Sequence, residues 1–552
     1  MEIYKYDSLC ADEIRLVKLM PGDDSSDLQG ELIRTTHTYD ALSYTWGSDE
    51  KTHAIRIGDS ELPITANLHQ ALVHLRRRRT PRFIWADAIC INQENIPERN
   101  EQVKKMAQIY SSASEVIIWL GPEEEDVALA IRQIQQADSA ITQYGENYVP
   151  NYHLLYGTKG PNVPSIDAGS VVSFNALLER PWFERTWIIQ EAMLAKKATI
   201  TCGSLSLPFR MLLRVFEHWN RKGFRQIIGV SVSRPLFAMI QIKAAVEQTT
   251  ASLLRLLFYT TGSDSSDPRD RVFGLMNLVS GDSDLGVDVD YNLTCAAVYT
   301  QLARHQIIHN KRLEFLTMAG LALYSGDLDI PSWVADWSKC DHIYMNLGIS
   351  SHFRAAGSSA SRSTANGTYG LEISAFLFDA ISDTGTEMLP AGCITGEDAA
   401  SGRETDVQDL FADLDRLTEG MNSYPTGEDV EHVKLRTVLF DFQGKKDSSD
   451  WVYEYQAVHN SCRTRKETYL SIISDWTRCR VLCRTKKGYL GWVPDITMVG
   501  DSIFIIMGAA VPFVVRPAGD GTYKLIGECY IHGIMYGEGL EEKDSKGTII
   551  LT

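Results

Sequence analysis

Three short stretches hold the side chains whose types could do chemistry. Ser43, Tyr44 and Trp46 end the run YDALSYTWG, and Asp87, Asn92 and Gln93 follow the run FIWADAICINQ. Arg185, Trp187 and Glu191 lie within ERPWFERTWIIQEAM. If residues 186–195 are helical, Trp187 and Glu191 stand four apart on one face. An acid beside an indole suits ligand binding, and the plain alternative is a surface glutamate covering a core tryptophan. No GxGxxG follows the first strand and no GxxxxGK[ST] occurs, so no phosphate-cradling loop is expected. HExxH and GxSxG are absent as well. His69 and His74 are wrongly spaced to share a metal, and Cys479 and Cys483 have no second pair to complete a zinc set. The expected chemistry is therefore that of carboxylates, hydroxyls and aromatic rings, with no metal and no resident cofactor.

These residues need elements to position them. Phe83–Trp85 is an apolar run stopped at Asp87, followed by a polar loop. Pro97 suits the first turn of a helix, where its missing N–H would be unpaired anyway. Val103, Met106, Ala107 and Tyr110 then recur at helical spacing. A second apolar run, Val116–Leu120, ends at Gly121-Pro122. Strand, loop, helix and strand in this order predict a parallel βαβ unit. Ligands of such sheets bind beyond the carboxyl ends of the strands, where Asp87, Asn92 and Gln93 fall. Asn67 is expected to cap the next helix, which carries Leu68, Ala71, Leu72 and Leu75 on one face.

Totals bound the function class. A chain of 552 residues implies two to four domains. Its net charge of -17 excludes the basic footprint that general nucleic-acid or anionic-membrane binding needs. The block Arg76–Arg79 reads as a solvated helix end. The longest apolar run, Ile503–Val515, is too short to span a bilayer and contains a proline. The first residues lack the apolar core of a secretory signal, and scattered cysteines suit reduced thiols, so an intracellular, cytoplasmic chain is expected.

The reading divides the chain into a strand and hairpin over 1–34, an α/β domain over 35–205, a helical region over 206–345 and a β-rich region over 346–552. Residues 143–168 read as a surface insertion, with a lid as the alternative. Asp267, Arg269, Asp270 and Arg271 read as an ion-pair network anchoring a helix. An amphipathic helix is expected near Leu410–Leu417, inside a variable acidic region, and short strands with Gly turns over 480–552 predict an antiparallel end region.

The motifs together resemble the fungal heterokaryon-incompatibility (HET) domain proteins. Those that carry the resemblance are Ala41–Gly47, Trp85–Gln93, Glu98-Arg99, Val116–Gly121, Arg180–Glu191, Asp267–Leu275, Pro331–Trp337 and Tyr530–Glu538. A second resemblance is to Toll/interleukin-receptor (TIR) domains. Tyr39–Tyr44 is similar to their first strand, and Trp187–Glu191 to the turn that carries the glutamate in members that cleave NAD, with Ile188 where those have cysteine. The resemblances imply an α/β, TIR-like parallel-sheet core and a role in fungal non-self recognition and cell death. They also imply NAD or a related nucleotide as substrate, Glu191 as the catalytic carboxylate, and Ser43, Tyr44, Trp46, Asp87, Asn92, Gln93, Arg185 and Trp187 as substrate-binding residues. Arg185 would meet the pyrophosphate, and the partner would be a second copy of the chain or another incompatibility protein. The alternatives are a non-enzymatic oligomerising module, or a HET-like enzyme recruited to acid–base chemistry in secondary-metabolite biosynthesis.

Overall fold

The computed structural model describes residues 2–10, 12–23, 26–34, 37–48, 50–148, 151–152, 165–166, 168–221, 230–281, 284–320, 328–342, 347–350, 353–367, 369–386, 410–441, 477, 479–540 and 546–552. Most of the insertion at 143–168 and the two ends of the acidic region over 391–450 lie outside these. The chain forms two units: Met1–Ser283 with Asp288–Leu293, and Asp284–Val287 with Thr294–Thr552.

The first unit is built on a ten-stranded mixed sheet. Its first seven strands are β1 (Glu2–Ile3), β2 (Arg15–Leu19), β3 (Gln29–Arg34), β4 (Asp40–Tyr44), β5 (His53–Ile57), β6 (Ser60–Ile64) and β7 (Arg82–Trp85). The last three are β8 (Glu115–Trp119), β9 (Ala198–Cys202) and β10 (Leu205–Pro208), and the order across the sheet is β1-β6-β5-β3-β2-β7-β4-β8-β9-β10. The central strands β7, β4, β8 and β9 are parallel. In chain order these four read 2-1-3-4, so the winding reverses between β4 and β8. That reversal makes a topological switch point, the place where open α/β sheets bind ligands. The predicted strand–helix–strand unit is present, but β4 lies between its two strands. The hairpin β2–β3 extends the same sheet beside β7.

Helices join these strands: α1 (Ala66–Leu75), the single turn α2 (Asp87–Cys90), α3 (Ile96–Ser112), α4 (Glu125–Tyr144), α5 (Ala168–Leu178) and α6 (Trp187–Met193). Asn95 caps α3, accepting the Glu98 N–H at 3.1 Å, and Pro97 sits in its first turn. Val103, Met106, Ile109 and Tyr110 bury its inner face. Three expectations need correction. The loop after Trp85 begins with the α2 turn. Thr65, not Asn67, caps α1, because the Asn67 side chain is engaged elsewhere. Arg76 is not solvated: it folds onto the turn carbonyls of Ser26 and Asp27 at 3.1 and 3.0 Å, and Arg77–Arg79 alone are exposed. Beyond β10 come α7 (Phe209–Arg221), α8 (Val230–Glu247), α9 (Leu253–Tyr259) and the short α10 (Asp270–Phe273).

The second unit opens with α11 (Cys295–Ile308). Its sheet is organised by one 15-residue strand, β12 (Gly370–Thr384), which the short β11 (Ser363–Asn366) precedes and pairs with. The others are β13 (Arg480–Thr485), β14 (Leu490–Pro494), β15 (Ser502–Ile506), β16 (Phe513–Gly519), β17 (Thr522–Glu528), β18 (Tyr530–Ile531) and β19 (Lys546–Leu551). The pairings β12–β15, β15–β16, β16–β17, β17–β19 and β19–β12 close a ring, so these five strands form a small barrel. The register of β12 shifts between Leu377 and Asp379 and again between Ile381 and Asp383, where bulges let one strand serve the ring and then pair with β13. The expected helix is present at 410–417, with Leu410, Leu414 and Leu417 buried.

Candidate functional site

The site grows from β4. A central strand of a parallel sheet is covered on both faces, and all of Ala41, Leu42, Ser43 and Tyr44 are buried. A hydroxyl placed there must be hydrogen-bonded. Ser43 Oγ accepts the Trp182 indole N–H at 2.8 Å and donates to Oε2 of Glu191. Glu191 comes from α6, within the RPWFERTW–QE motif, and is only 2% exposed. Burial pushes its carboxyl up to about 7, while the Arg185 charge and the Ser43 hydrogen bond pull the other way and the Asp87 charge adds to the rise. At neutral pH such a group is poised between acid and base.

Arg185 donates to the Tyr44 carbonyl at the end of β4. Tyr44 itself is buried, and its hydroxyl lies near Asp87 without a well-formed hydrogen bond. Burial first, then the Asp87 charge, hold that phenol far above its ordinary value. Asp87 follows β7 and is half-buried; its Oδ2 accepts the Trp46 indole N–H at 2.9 Å and its Oδ1 the Ala88 N–H at 2.8 Å. Asn67 ties the two strands of the switch point together. It donates to the Thr45 carbonyl at 2.5 Å and accepts the Trp119 indole N–H at 3.0 Å.

Of the residues expected at the site, Ser43, Tyr44, Trp46, Asp87, Arg185 and Glu191 converge at the carboxyl ends of β4 and β7. Asn92 and Gln93 instead brace their own loop. The Asn92 N–H donates to Glu98 Oε1 at 2.8 Å, and Gln93 Nε2 to the Asp87 carbonyl at 3.1 Å. Trp187 shares a helix with Glu191 but packs elsewhere, over Gly274 and toward the carboxyl of Asp270. The ring that touches the Glu191–Ser43 pair is Trp182, which the sequence reading passed over. Tyr110 of α3 approaches from beneath, its hydroxyl 3.4 Å from the Leu42 carbonyl and close enough to help hold the Glu191 charge. Trp182 was findable: a buried serine on a central strand demands a partner, and an indole N–H needs an acceptor. The expected ion-pair network of Asp267–Arg271 reduces to one pair, Asp267 with Arg269 at 2.6 Å. Asp270 is held by the Tyr291 hydroxyl, and Arg271 donates to the Thr260 carbonyl at 3.3 Å. Among the described residues no group of three or more His, Cys, Asp or Glu side chains is placed to hold a metal, and no helix is long and apolar enough to cross a membrane.

Residues 39–191 match the family model of the heterokaryon incompatibility protein (HET), a segment that begins one residue before β4 and ends on Glu191. Residues 426–551 match the Het-6 beta-barrel domain; the long strand β12 of the ring precedes that segment. The chain is 25% identical to heterokaryon incompatibility protein 6, OR allele, of Neurospora crassa, over 97% of this chain and 96% of the relative. No solved structure matches the chain. The chain thus carries a segment of the HET family over residues 39–191 and, later in the sequence, one of the Het-6 beta-barrel family over residues 426–551.

Proposed function

We propose that this protein acts in fungal non-self recognition, and that its HET domain does so by cleaving the nicotinamide–ribose bond of NAD or a related nucleotide through Glu191. The observation that carries the reading is the Glu191 carboxyl at the switch point of a 2-1-3-4 parallel sheet, with a serine hydroxyl and an arginine beside it. In the reaction the C1′–N bond breaks and its electron pair moves to the pyridinium nitrogen, so nicotinamide leaves neutral and needs no general acid. The ribosyl cation that develops is stabilised by one carboxylate, as in glycoside hydrolysis. Water then adds its oxygen to C1′ and gives up a proton. Ser43 and Arg185 orient the Glu191 carboxylate, and the half-buried Trp46, Asp87 and Arg185 form the side from which a nucleotide would approach. Arg185 keeps donors for a pyrophosphate.

The test is nicotinamide release from NAD by the purified chain beside Glu191→Gln. Loss of at least about a hundredfold in the variant is expected on the scale of a removed transition-state contact. Equal release from both chains would end the assignment. One observation favours a second reading, a non-enzymatic module: Glu191 is 2% exposed and already hydrogen-bonded. In that reading the carboxyl fixes the conformation of an assembling domain. A folded chain that self-associates with concentration and releases no nicotinamide would select it.

A further inference from the structure

Another concentration of buried polar groups in the first unit surrounds Asp270, in the DPRDR segment. Its Oδ1 accepts the Tyr291 hydroxyl at 2.6 Å, and the Trp187 indole faces the same carboxyl. Tyr291 is fixed from several sides. The Arg99 guanidinium lies 3.8 Å from its ring centre, and its N–H donates to Asn100 Oδ1 at 3.0 Å. Arg269 donates to its carbonyl at 2.8 Å and to that of Leu293 at 2.6 Å. Arg99 and Asn100 belong to α3, the helix that also sends Tyr110 toward Glu191.

On its other side the same segment grips α6. The Thr186 N–H donates to the Asp264 carbonyl at 3.0 Å, and Asn277 Nδ2 to Gln190 Oε1 at 3.2 Å. Gly274 leaves room for the Trp187 ring against the segment: a Cβ there would stand 3.4 Å from the indole and 2.9 Å from the Asp270 carbonyl. Thr186 stands before α6 without a side-chain cap, so this seven-residue helix is held from outside rather than by its own signals.

We infer that Asp270 and Tyr291 form a positioning relay that sets α6 through Trp187 and thereby holds the Glu191 carboxyl against Ser43. The inference rests on the reading of Glu191 as the reacting group. Neither relay residue touches Glu191, so neither is a catalytic residue. An ionised Asp270 accepts from the phenol and faces the indole; losing either contact frees the amino end of α6 to rotate. The charged groups that face Asp270 are Asp267, Arg99 and Arg269, the last bound to Asp267, and the Tyr291 phenol beside them is neutral. Burial pushes the Asp270 carboxyl up to about 6, against the hydrogen bonds from Tyr291 and Trp187. It remains mostly ionised where Glu191 titrates.

The experiment uses the full chain with Tyr291→Phe, which removes one hydroxyl, and with Asp270→Asn. In each background, Glu191→Gln is compared with its parent by denaturation across pH, which reports the Glu191 titration midpoint without any substrate. Nicotinamide release from NAD is measured in parallel. In the relay variants the midpoint should fall from about 7 toward the ordinary carboxylate range, because burial is the largest cause of the rise and the water a loosened α6 admits outweighs the Ser43 hydrogen bond it loses. Release should fall about tenfold to a hundredfold, in kcat more than in KM. A folded Tyr291→Phe chain whose Glu191 midpoint stays at the parent value would overturn the relay. If the parent itself releases no nicotinamide, the proposed activity fails, while the titration still decides the relay.

Discussion

The buried carboxyl of Glu191 carries a stability signature whose sign and size follow from its surroundings. Its ordinary value is 4.5, and in the folded chain it is raised to about 7, chiefly by burial. Below the lower value both states hold the proton and the site costs nothing. Between the two values the unfolded chain releases the proton and the folded chain keeps it, so stability falls as pH rises. Above the folded value the loss is constant. One pKa unit corresponds to about 1.4 kcal/mol, so the loss is about 1 kcal/mol near pH 5 and about 3 kcal/mol near pH 8. Glutamine has the same shape and cannot ionise. Relative to the parent, Glu191→Gln should therefore gain about 2 kcal/mol of stability between about pH 5 and pH 8, whatever constant offset its altered hydrogen bonds bring. Urea denaturation of the parent and the variant at several pH values, followed by tryptophan fluorescence, measures this difference. A difference that stays flat across the range would refute the reasoning, as would a variant that loses ground on the alkaline side. The same ionisation governs the proposed reaction in the opposite sense: release of nicotinamide should rise with pH through about 7, because only the carboxylate stabilises a ribosyl cation.

Other substitutions test the surrounding shell. Ser43→Ala strands the buried Trp182 N–H and should cost about 1–3 kcal/mol; it should also move the Glu191 midpoint further up, since the Ser43 hydrogen bond favours the charged form. Arg185→Met removes the cation that most opposes the rise at Glu191, so carboxylate titration by NMR should again show a higher midpoint. Away from the site, Arg15 and Glu98 form a buried ion pair, with side chains 3% and 7% exposed. Glu98→Gln leaves a guanidinium uncompensated and should cost about 3–5 kcal/mol, read by denaturation at neutral pH. Gly203 turns at φ 51°, and a Cβ there would stand 2.5 Å from that of Glu123. Gly203→Ala should cost at least about 1 kcal/mol in the same assay.

Local order in the chain was largely legible before the fold was known. The strands at Phe83–Trp85 and Val116–Leu120 and the Pro97 helix follow from apolar spacing and turn residues, which act over a few neighbours. The same holds for most of the late strands between 490 and 531. Residue type also singled out Glu191, Ser43, Arg185 and Asp87, because no metal set or phosphate loop competed for the chemistry. What the sequence could not determine is which distant elements meet. The place of β4 between β7 and β8 depends on pairing across the whole sheet, and only that order creates the switch point where Ser43 and Glu191 join across 148 positions of chain. Helical spacing put Trp187 beside Glu191, yet a helix face does not say what covers it. The partner of the Glu191–Ser43 pair proved to be Trp182, and Trp187 turned to Asp270. Asn67 was claimed by Thr45 and Trp119, so Thr65 took the cap. In each case burial decided: once water is excluded, a polar group must take whichever partner the packing brings within reach, and packing is a property of the assembled sheet and helices.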